Sequence, residues 1–327
     1  MRSLEEERAN QYVFAETLEE LAETDSDLLI TTSDSRGSGK LVPSVEKNPD
    51  QIVEVGIAEQ NLVGISAGLA STGKKVFAIS PSYFLTARSL EQIKNDVAYS
   101  DHPVKLVGIS AGVSYGDLGS THHSIHELAV LRAINNMTII VPADNFETRE
   151  ATKFAYHHDK PVFLRFGKKT MYALHDDGTN FEAGKAITVR KGADLAFIAN
   201  GETVYRAMQA AMMLEDEGVQ ARVVSMHTIK PFDRKAVSKS AKECGAIITV
   251  EEHMINGGLG EACSAHLLES GFSVPFKRMG IPDEYTVTGP QNDILTHYGI
   301  SAEGLKKTAI DFLKTKVNTL WNISLLP

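Results

Sequence analysis

The sequence predicts an α/β protein of two three-layer domains, the first built on a mostly parallel sheet and the second on a mixed, mostly parallel one. Its 327 residues, at about 150 per domain, suggest two units. Short β-branched runs alternate with segments of helical period. Those runs are near-continuously apolar, which marks strands buried on both faces beneath helices.

The elements follow in order. Phe14, Leu18 and Leu21 stand at i, i+4 and i+7, so an amphipathic helix comes first. Strands are expected at Leu28 to Thr32, Ile52 to Val55, Val76 to Ile79, Val104 to Ile109, Thr138 to Val141 and Val162 to Leu164. Helices are expected around Leu62 to Leu69, Leu90 to Tyr99, Ile125 to Ile134 and Glu147 to His157. After Gly167-Lys168-Lys169 the pattern dissolves. Asp176-Asp177-Gly178-Thr179-Asn180 marks a linker over 171–185, between domains at 1–170 and 186–327. The second block alternates again, with strands at Leu195 to Ala199, Arg222 to Ser225, Ala246 to Val250 and Val274 to Arg278. Its helices run from Val204 to Glu217, from Arg234, from Leu259, and around Ile294 and Leu305. The tail from Asn318 to Pro327 is apolar and holds Trp321. It either packs on a partner or is irregular.

Composition narrows the function. Apolar residues at 43% and charged residues at 23% exclude disorder. A net charge of −9 without a basic block argues against nucleic acid and anionic membrane as partners. No apolar run approaches the roughly 18 residues of a membrane span. The acidic opening Met1-Arg2-Ser3-Leu4-Glu5-Glu6-Glu7 lacks the apolar stretch of a signal peptide. Cys244 and Cys263 form no CxxC motif and are expected as buried free thiols in a cytoplasmic protein.

Ligands of an open parallel sheet bind beyond the carboxyl ends of its strands, and four loops there carry unusual residues. In Val53-Glu54-Val55-Gly56-Ile57-Ala58-Glu59-Gln60-Asn61, Glu59 follows a glycine turn and opens a helix rich in small residues. A carboxyl there is a cap favoured by the dipole, or it meets a ligand. The loop Ser80-Pro81-Ser82-Tyr83-Phe84-Leu85-Thr86-Ala87-Arg88 sets two aromatics beside a polar turn, as core or as a platform. In Gly112-Val113-Ser114-Tyr115-Gly116-Asp117-Leu118-Gly119-Ser120-Thr121-His122-His123, the adjacent histidines point apart and have no partner at ligand spacing. No metal site is expected. Arg165 ends a buried strand, as a surface charge or as a fork for phosphate or carboxylate.

Four longer stretches occur in a telling order: Gly56-Ile57-Ala58-Glu59-Gln60-Asn61, Gly119-Ser120-Thr121-His122-His123, Asn136 through Asp144, and Glu251-Glu252-His253 to Gly257-Gly258-Leu259-Gly260. With them the chain resembles the C-terminal portion of transketolases, and most closely the separately encoded C-terminal subunit of split transketolases, from about residue 8 to 315. The resemblance implies a pyrimidine-binding domain followed by a transketolase C-terminal domain. It implies thiamine diphosphate as cofactor and transfer of a two-carbon ketol unit between phosphorylated sugars. The glutamate matching Glu59 would bond the cofactor's pyrimidine nitrogen, a task for a buried carboxyl that shares a proton. Phe84, or else Tyr83, would stack on that ring, Arg88 would border it, and Asp34 would lie near the cofactor. His122 would contact the reacting end of the substrate, and Arg165 and Ser38 its phosphate.

The departures bear on the substrate. Relatives carry an acid where this chain has Leu118, with Asp117 one residue earlier, and many carry a histidine near Ser110. The family's second phosphate arginine falls at Glu7 or Arg8, and Arg36 or Lys40 adds charge near Ser38. The Gly-Asp-Gly and Asn that hold Mg²⁺ in this family are missing, because Gly116-Asp117-Leu118-Gly119 lacks the spacing. The resemblance therefore implies an N-terminal partner subunit that supplies the diphosphate and Mg²⁺ half of the site, in a dimer of heterodimers. Two other readings stay open here. Ser89 to Asp96 also resembles 1-deoxyxylulose-phosphate synthases and 2-oxoacid dehydrogenase β chains, and a fold can outlive its catalysis in a scaffold protein.

Overall fold

The computed structural model describes residues 4–176 and 178–323, with side chains as far as residue 314. Its first half carries β1 (Leu28–Thr32), β2 (Ile52–Glu54), β3 (Lys75–Pro81), β4 (Lys105–Ile109), β5 (Thr138–Ile140) and β6 (Val162–Arg165). The second half carries β7 (Ile187–Arg190), β8 (Leu195–Ala199), β9 (Ala221–Ser225), β10 (Thr228–Lys230), β11 (Ile247–Met254) and β12 (Phe276–Ile281). The helices are α1 (Asn10–Ala22), α2 (Val42–Lys47), α3 (Glu59–Ser71), α4 (Ser82–Arg88), α5 (Leu90–Gln92), α6 (Glu127–Ala133), α7 (Asn145–His157), α8 (Thr203–Glu215), α9 (Arg234–Glu243), α10 (Leu259–Glu269), α11 (Gln291–His297) and α12 (Ala302–Ile323).

Two sheets result. The first has the order β10-β5-β6-β4-β3-β1-β2, parallel except for β10, and the second has β12-β11-β8-β9-β7, parallel except for β7. Strand β10 comes from the second half yet pairs with β5, Thr228 opposite Ile140, so the halves share a sheet edge. One apolar core accordingly runs from Leu62 and Ile139 through Met226 and Ile229 to Leu259.

Why the strands are continuously apolar is plain from burial: β4, β5, β6 and β8 have no exposed residue. Lys105 is the polar exception in β4. Its ammonium donates to the His158 and Lys160 carbonyls at 2.5 and 2.8 Å, which satisfies a charge that burial would otherwise penalise. At Gly108 the layers come so close that an added Cβ would stand 2.8 Å from Phe163 and 2.7 Å from Ser82 Oγ. Only glycine lets α4 lie against β4.

Three expectations are corrected. Residues 82–88 are not a loop: they fold as α4 directly off β3. The helix expected over Leu90 to Tyr99 is one α-helical turn followed by a π-helix over Ile93–Tyr99, a wider turn that accommodates an extra residue. The terminal tail is helical in backbone through Ile323, and residues 324–327 lie outside the described residues, as do the side chains of the tail.

Because β1, β2, β3, β4 and β6 are parallel, their carboxyl ends open on one edge. The segments that follow them gather there, and they contain every nominated site residue except Arg8 and Arg165.

Candidate functional site

Five nominated side chains meet at this edge. After β2 the chain turns through Gly56 at φ +73°, and Glu59 opens α3 with its side chain 4% exposed. Helix α4 brings Tyr83, Phe84 and Arg88 alongside. Arg88 Nη1 donates to Glu59 Oε2 at 2.8 Å, and the guanidinium carbon lies 4.3 Å from the centroid of the Phe84 ring. Phe84 packs edge-on against His122 with centroids 5.3 Å apart, and against Tyr83 at 5.6 Å. His122 Nδ1 pairs with the Thr121 hydroxyl at 2.9 Å. A buried carboxylate, a guanidinium, an aromatic ring and an imidazole thus touch in turn.

Asp34 stands one strand away at φ 52°, exposed. Its amide donates to Glu54 Oε1 at 2.7 Å, and the Gly56 amide donates to the same oxygen at 2.9 Å. Glu54 thereby ties the loop of Asp34 to the turn before Glu59. Arg36 is spent on the other Glu54 oxygen, at 3.1 Å.

Ser38 lines a separate cavity of about 810 Å³ together with Arg8, Tyr12, Lys40, Lys168 and Lys169. Four cations line it with three hydroxyl residues and the acids Glu6 and Glu7, and the cations suit a phosphate. Arg8 is partly committed, since its Nη1 donates to Glu16 Oε1 at 2.7 Å. Lys40 lies 4.8 Å from the Tyr12 ring centroid. Tyr115 connects the two regions: Lys168 Nζ lies 5.2 Å from its ring centroid, and the His122 ring meets it edge-on at 5.7 Å. Asp117 and Leu118 point outward on the 3-10 turn that follows, Leu118 being 54% exposed.

Arg165 does not join them. Its side chain is 5% exposed; Nε donates to Glu127 Oε1 at 2.5 Å, and Nη2 donates to the Glu252 carbonyl at 2.8 Å. Burial alone would push the Glu127 carboxyl up, but the Arg165 charge outweighs it and holds that carboxyl below its usual range. A guanidinium so engaged is not free to grip a sugar phosphate. The correction follows from direction: the side chain at the end of β6 turns inward, and the cations that reach the cavity are Lys168 and Lys169, three and four residues on.

The second half grips the loop that carries His122. Glu252 Oε1 accepts from the Val113 amide at 3.0 Å and from Gln291 Nε2 at 2.8 Å, and Gln291 Nε2 also donates to Glu202 Oε2 at 3.0 Å. Burial, reinforced by the neighbouring Glu252, pushes Glu202 up to about 8. The Thr286 hydroxyl bonds His123 Nδ1 at 2.5 Å and Ser120 Oγ at 2.9 Å. Gly112, at φ +66°, has no room for a Cβ, which would stand 2.3 Å from the Glu252 carboxyl carbon. His123 is therefore a tether, and only His122 of the pair faces the site.

Sequence reasoning missed Glu54, Tyr115, Glu127 and the lysine pair. The basic doublet three residues beyond the end of β6 was the available signal for the lysines. The acids offered none: Glu54 joins the Asp34 amide 20 residues back to the Gly56 amide, and Glu127 pairs with Arg165, 38 residues on. Cys244 and Cys263 are buried and unpaired. Among the described residues no cluster of His, Cys, Asp and Glu is arranged to hold a metal, and no helix is long and apolar enough to cross a membrane.

Residues 6–172 match the family model of the transketolase pyrimidine-binding domain, and residues 184–305 match that of the transketolase C-terminal domain. An apulose-4-phosphate transketolase subunit from Phocaeicola vulgatus is 49% identical over 302 residues, 92% of this chain and 96% of that protein. The protein of the same name from Actinobacillus succinogenes is 38% identical over 285 residues, 87% of this chain and 92% of that one. A solved split-gene transketolase, an inactive beta4 tetramer, superposes with a TM-score of 0.86 at 33% identity, covering 94% of this chain and 99% of that one. The chain belongs to the transketolase family, a family of thiamine-diphosphate-dependent transferases, as the C-terminal subunit of a split transketolase.

Proposed function

We propose that this subunit, joined to an N-terminal subunit, transfers a two-carbon ketol unit between phosphorylated sugars. The donor we favour is apulose 4-phosphate, the sugar in the names of two relatives. The observation that carries this reading is a chain of contacts: Glu59, Arg88, Phe84 and His122 touch in turn, and Tyr115 lies against both His122 and Lys168, one of four cations that line a cavity together with Glu6 and Glu7. A reacting end and a phosphate end lie side by side.

The residues suit the pyrimidine half of thiamine diphosphate. The Arg88 guanidinium, flat and rich in nitrogen, already lies between the Glu59 carboxylate and the Phe84 ring, so a planar nitrogen heterocycle matches both contacts. When bound, the cofactor supplies carbanion stabilisation. Glu59 would hold the proton shared with the ring nitrogen, Phe84 and Tyr83 would give the ring its apolar wall, and Arg88 and Asp34 would border it. His122 moves protons to and from the substrate hydroxyls nearest the cleaved bond. Ser38 and the surrounding cations hold the phosphate, and Asp117 borders the sugar. Arg165 and Glu127 keep the wall rigid from behind.

We infer that the diphosphate and Mg²⁺ fall to the partner, because this chain lacks the Gly-Asp-Gly and Asn that hold Mg²⁺ in the family. We infer a dimer of heterodimers in the cytoplasm, with residues 1–170 building the site and residues 186–327 bracing it. Two buried unpaired thiols support a reducing compartment. The test is reconstitution with a Gly-Asp-Gly-bearing partner, thiamine diphosphate and Mg²⁺. Turnover of apulose 4-phosphate with an aldose acceptor is expected, and Glu59→Ala should abolish it. Full activity of Glu59→Ala, or pyruvate-dependent decarboxylation in place of ketol transfer, would overturn the reading.

A further inference from the structure

We infer that Thr286, in the second half of the chain, is a positioning residue for His122: its hydroxyl holds Ser120 and His123, on either side of that imidazole, in one fixed arrangement. The inference rests on the functional reading above, in which His122 moves protons at the reacting end. It adds the group that aims the imidazole.

The turn that carries His122 is seated on residues 286–289. The Thr286 hydroxyl meets His123 Nδ1 at 2.5 Å and Ser120 Oγ at 2.9 Å. The Thr288 methyl closes on Gly119, where an added Cβ would stand 2.6 Å from it. The Gly289 carbonyl closes on Gly116 in the same way, at 2.7 Å. Gly119, at φ +71°, interrupts the 3-10 turn, and its carbonyl accepts from the amides of both His122 and His123, at 2.9 and 3.1 Å. The seat is itself anchored in the second half, since the Val287 amide donates to the Tyr298 hydroxyl at 3.1 Å. His122 bonds the adjacent Thr121, so its aim follows the turn that holds both.

The hydrogens give the arrangement a direction. His123 Nε2 lies 3.0 Å from the Gly116 carbonyl, which can only accept, so Nε2 carries the proton. Burial lowers the His123 pKa, so at neutral pH the ring is uncharged and Nδ1 accepts. The Thr286 proton therefore goes to Nδ1, and Ser120 donates to the Thr286 hydroxyl or carbonyl oxygen. His123 and Thr286 are both buried, so a lost hydroxyl leaves Nδ1 without a donor. The second half thus sets the geometry of a group that belongs to the first.

The experiment uses the reconstituted complex of wild type, Thr286→Val, Thr286→Ser, His122→Ala and His122→Ala/Thr286→Val. It measures kcat and KM for apulose 4-phosphate and the Kd of thiamine diphosphate. A misplacement of about 1 Å can cost about 100-fold in rate, so Thr286→Val, which keeps the shape and loses the hydroxyl, should lower kcat by about 10- to 100-fold. KM and the cofactor Kd should stay near wild type, as expected when only the reacting step is affected. Thr286→Ser, which keeps the hydroxyl, should recover most of the loss. The double variant should be no slower than His122→Ala, because the hydroxyl acts through the imidazole. An unchanged kcat in Thr286→Val overturns the inference. So do losses that multiply in the double variant, or a KM and Kd that rise as kcat falls, which mark a merely structural role. Should Thr286→Val fail to assemble, Ser120→Ala removes the outer link at a half-buried position and carries the same expectations and the same refutations. A His122→Ala complex as fast as wild type, or a wild type without turnover, overturns the functional reading, and the inference falls with it.

Discussion

Arg88 and Glu59 form the central pair of the site, 2.8 Å apart, with one partner 49% exposed and the other 4%. The contact neutralises a buried carboxylate that has no other charged partner at hydrogen-bond distance among the described residues. It also fills the space over Phe84. Arg88→Met should destabilise the isolated chain by about 1 kcal/mol, a figure kept small because the guanidinium is half in water. Glu59→Gln in the same background should restore that loss. In the reconstituted complex Arg88→Met should bind thiamine diphosphate several-fold more weakly, because the guanidinium that borders the ring is lost. Calorimetric titration checks this, and unchanged binding would remove Arg88 from the cofactor site.

Lys168→Ala should raise KM for the sugar phosphate about tenfold, the value of one charge-assisted hydrogen bond, with little change in kcat. The effect should shrink as salt is added. Steady-state kinetics at two ionic strengths measures it. A fall in kcat with unchanged KM would remove Lys168 from the phosphate end.

Arg165→Met should behave as a folding variant and not as a binding variant. Removing one member of a buried pair costs about 3–5 kcal/mol, whereas replacing both by apolar residues is often neutral. Denaturant melts should show Arg165→Met well below wild type and Arg165→Met/Glu127→Leu close to it. A stable Arg165→Met with a raised KM for sugar phosphate would mean that the side chain reaches the substrate.

His175 predicts the alkaline behaviour. Its ring lies between Asp144 Oδ2 at 2.5 Å and Glu147 Oε1 at 3.2 Å. Burial opposes its charge, but the two acids outweigh burial and push its pKa up to about 10, from 6.5. Its folded-state pKa being the higher, its stabilisation is full below about pH 6.5 and is lost as pH rises through about 10. Lys105, pushed down to about 7 by burial, titrates with the opposite sign. The difference between wild type and His175→Gln therefore isolates the histidine's contribution. Unfolding free energies from pH 6 to 10 should converge as pH rises, and a constant difference would refute the assignment.

Much of this molecule is legible in the order of its amino acids. Leu28 to Thr32 and Leu195 to Ala199 are read as strands with the bounds they have in the fold, and the helix from Leu259 starts where expected. Glu59 is legible too, because a strand, a glycine turn and a helix start occupy consecutive residues. Such features depend on period and neighbours, and a local pattern carries them whole. Strand β10, three residues long, has no period to read and exists through its pairing with β5. Arg165 shows the same division at the level of one side chain. Its place at the end of a buried strand follows from local pattern, but its direction was settled by Glu127, 38 residues away, and by the Glu252 carbonyl, 87 residues away. Tyr115 came to lie against both His122 and Lys168 only when Lys168, 53 residues on, folded onto it. Local order states which groups are available, and burial in a shared, low-dielectric interior chooses their partners, because there each charge must find one or be expelled.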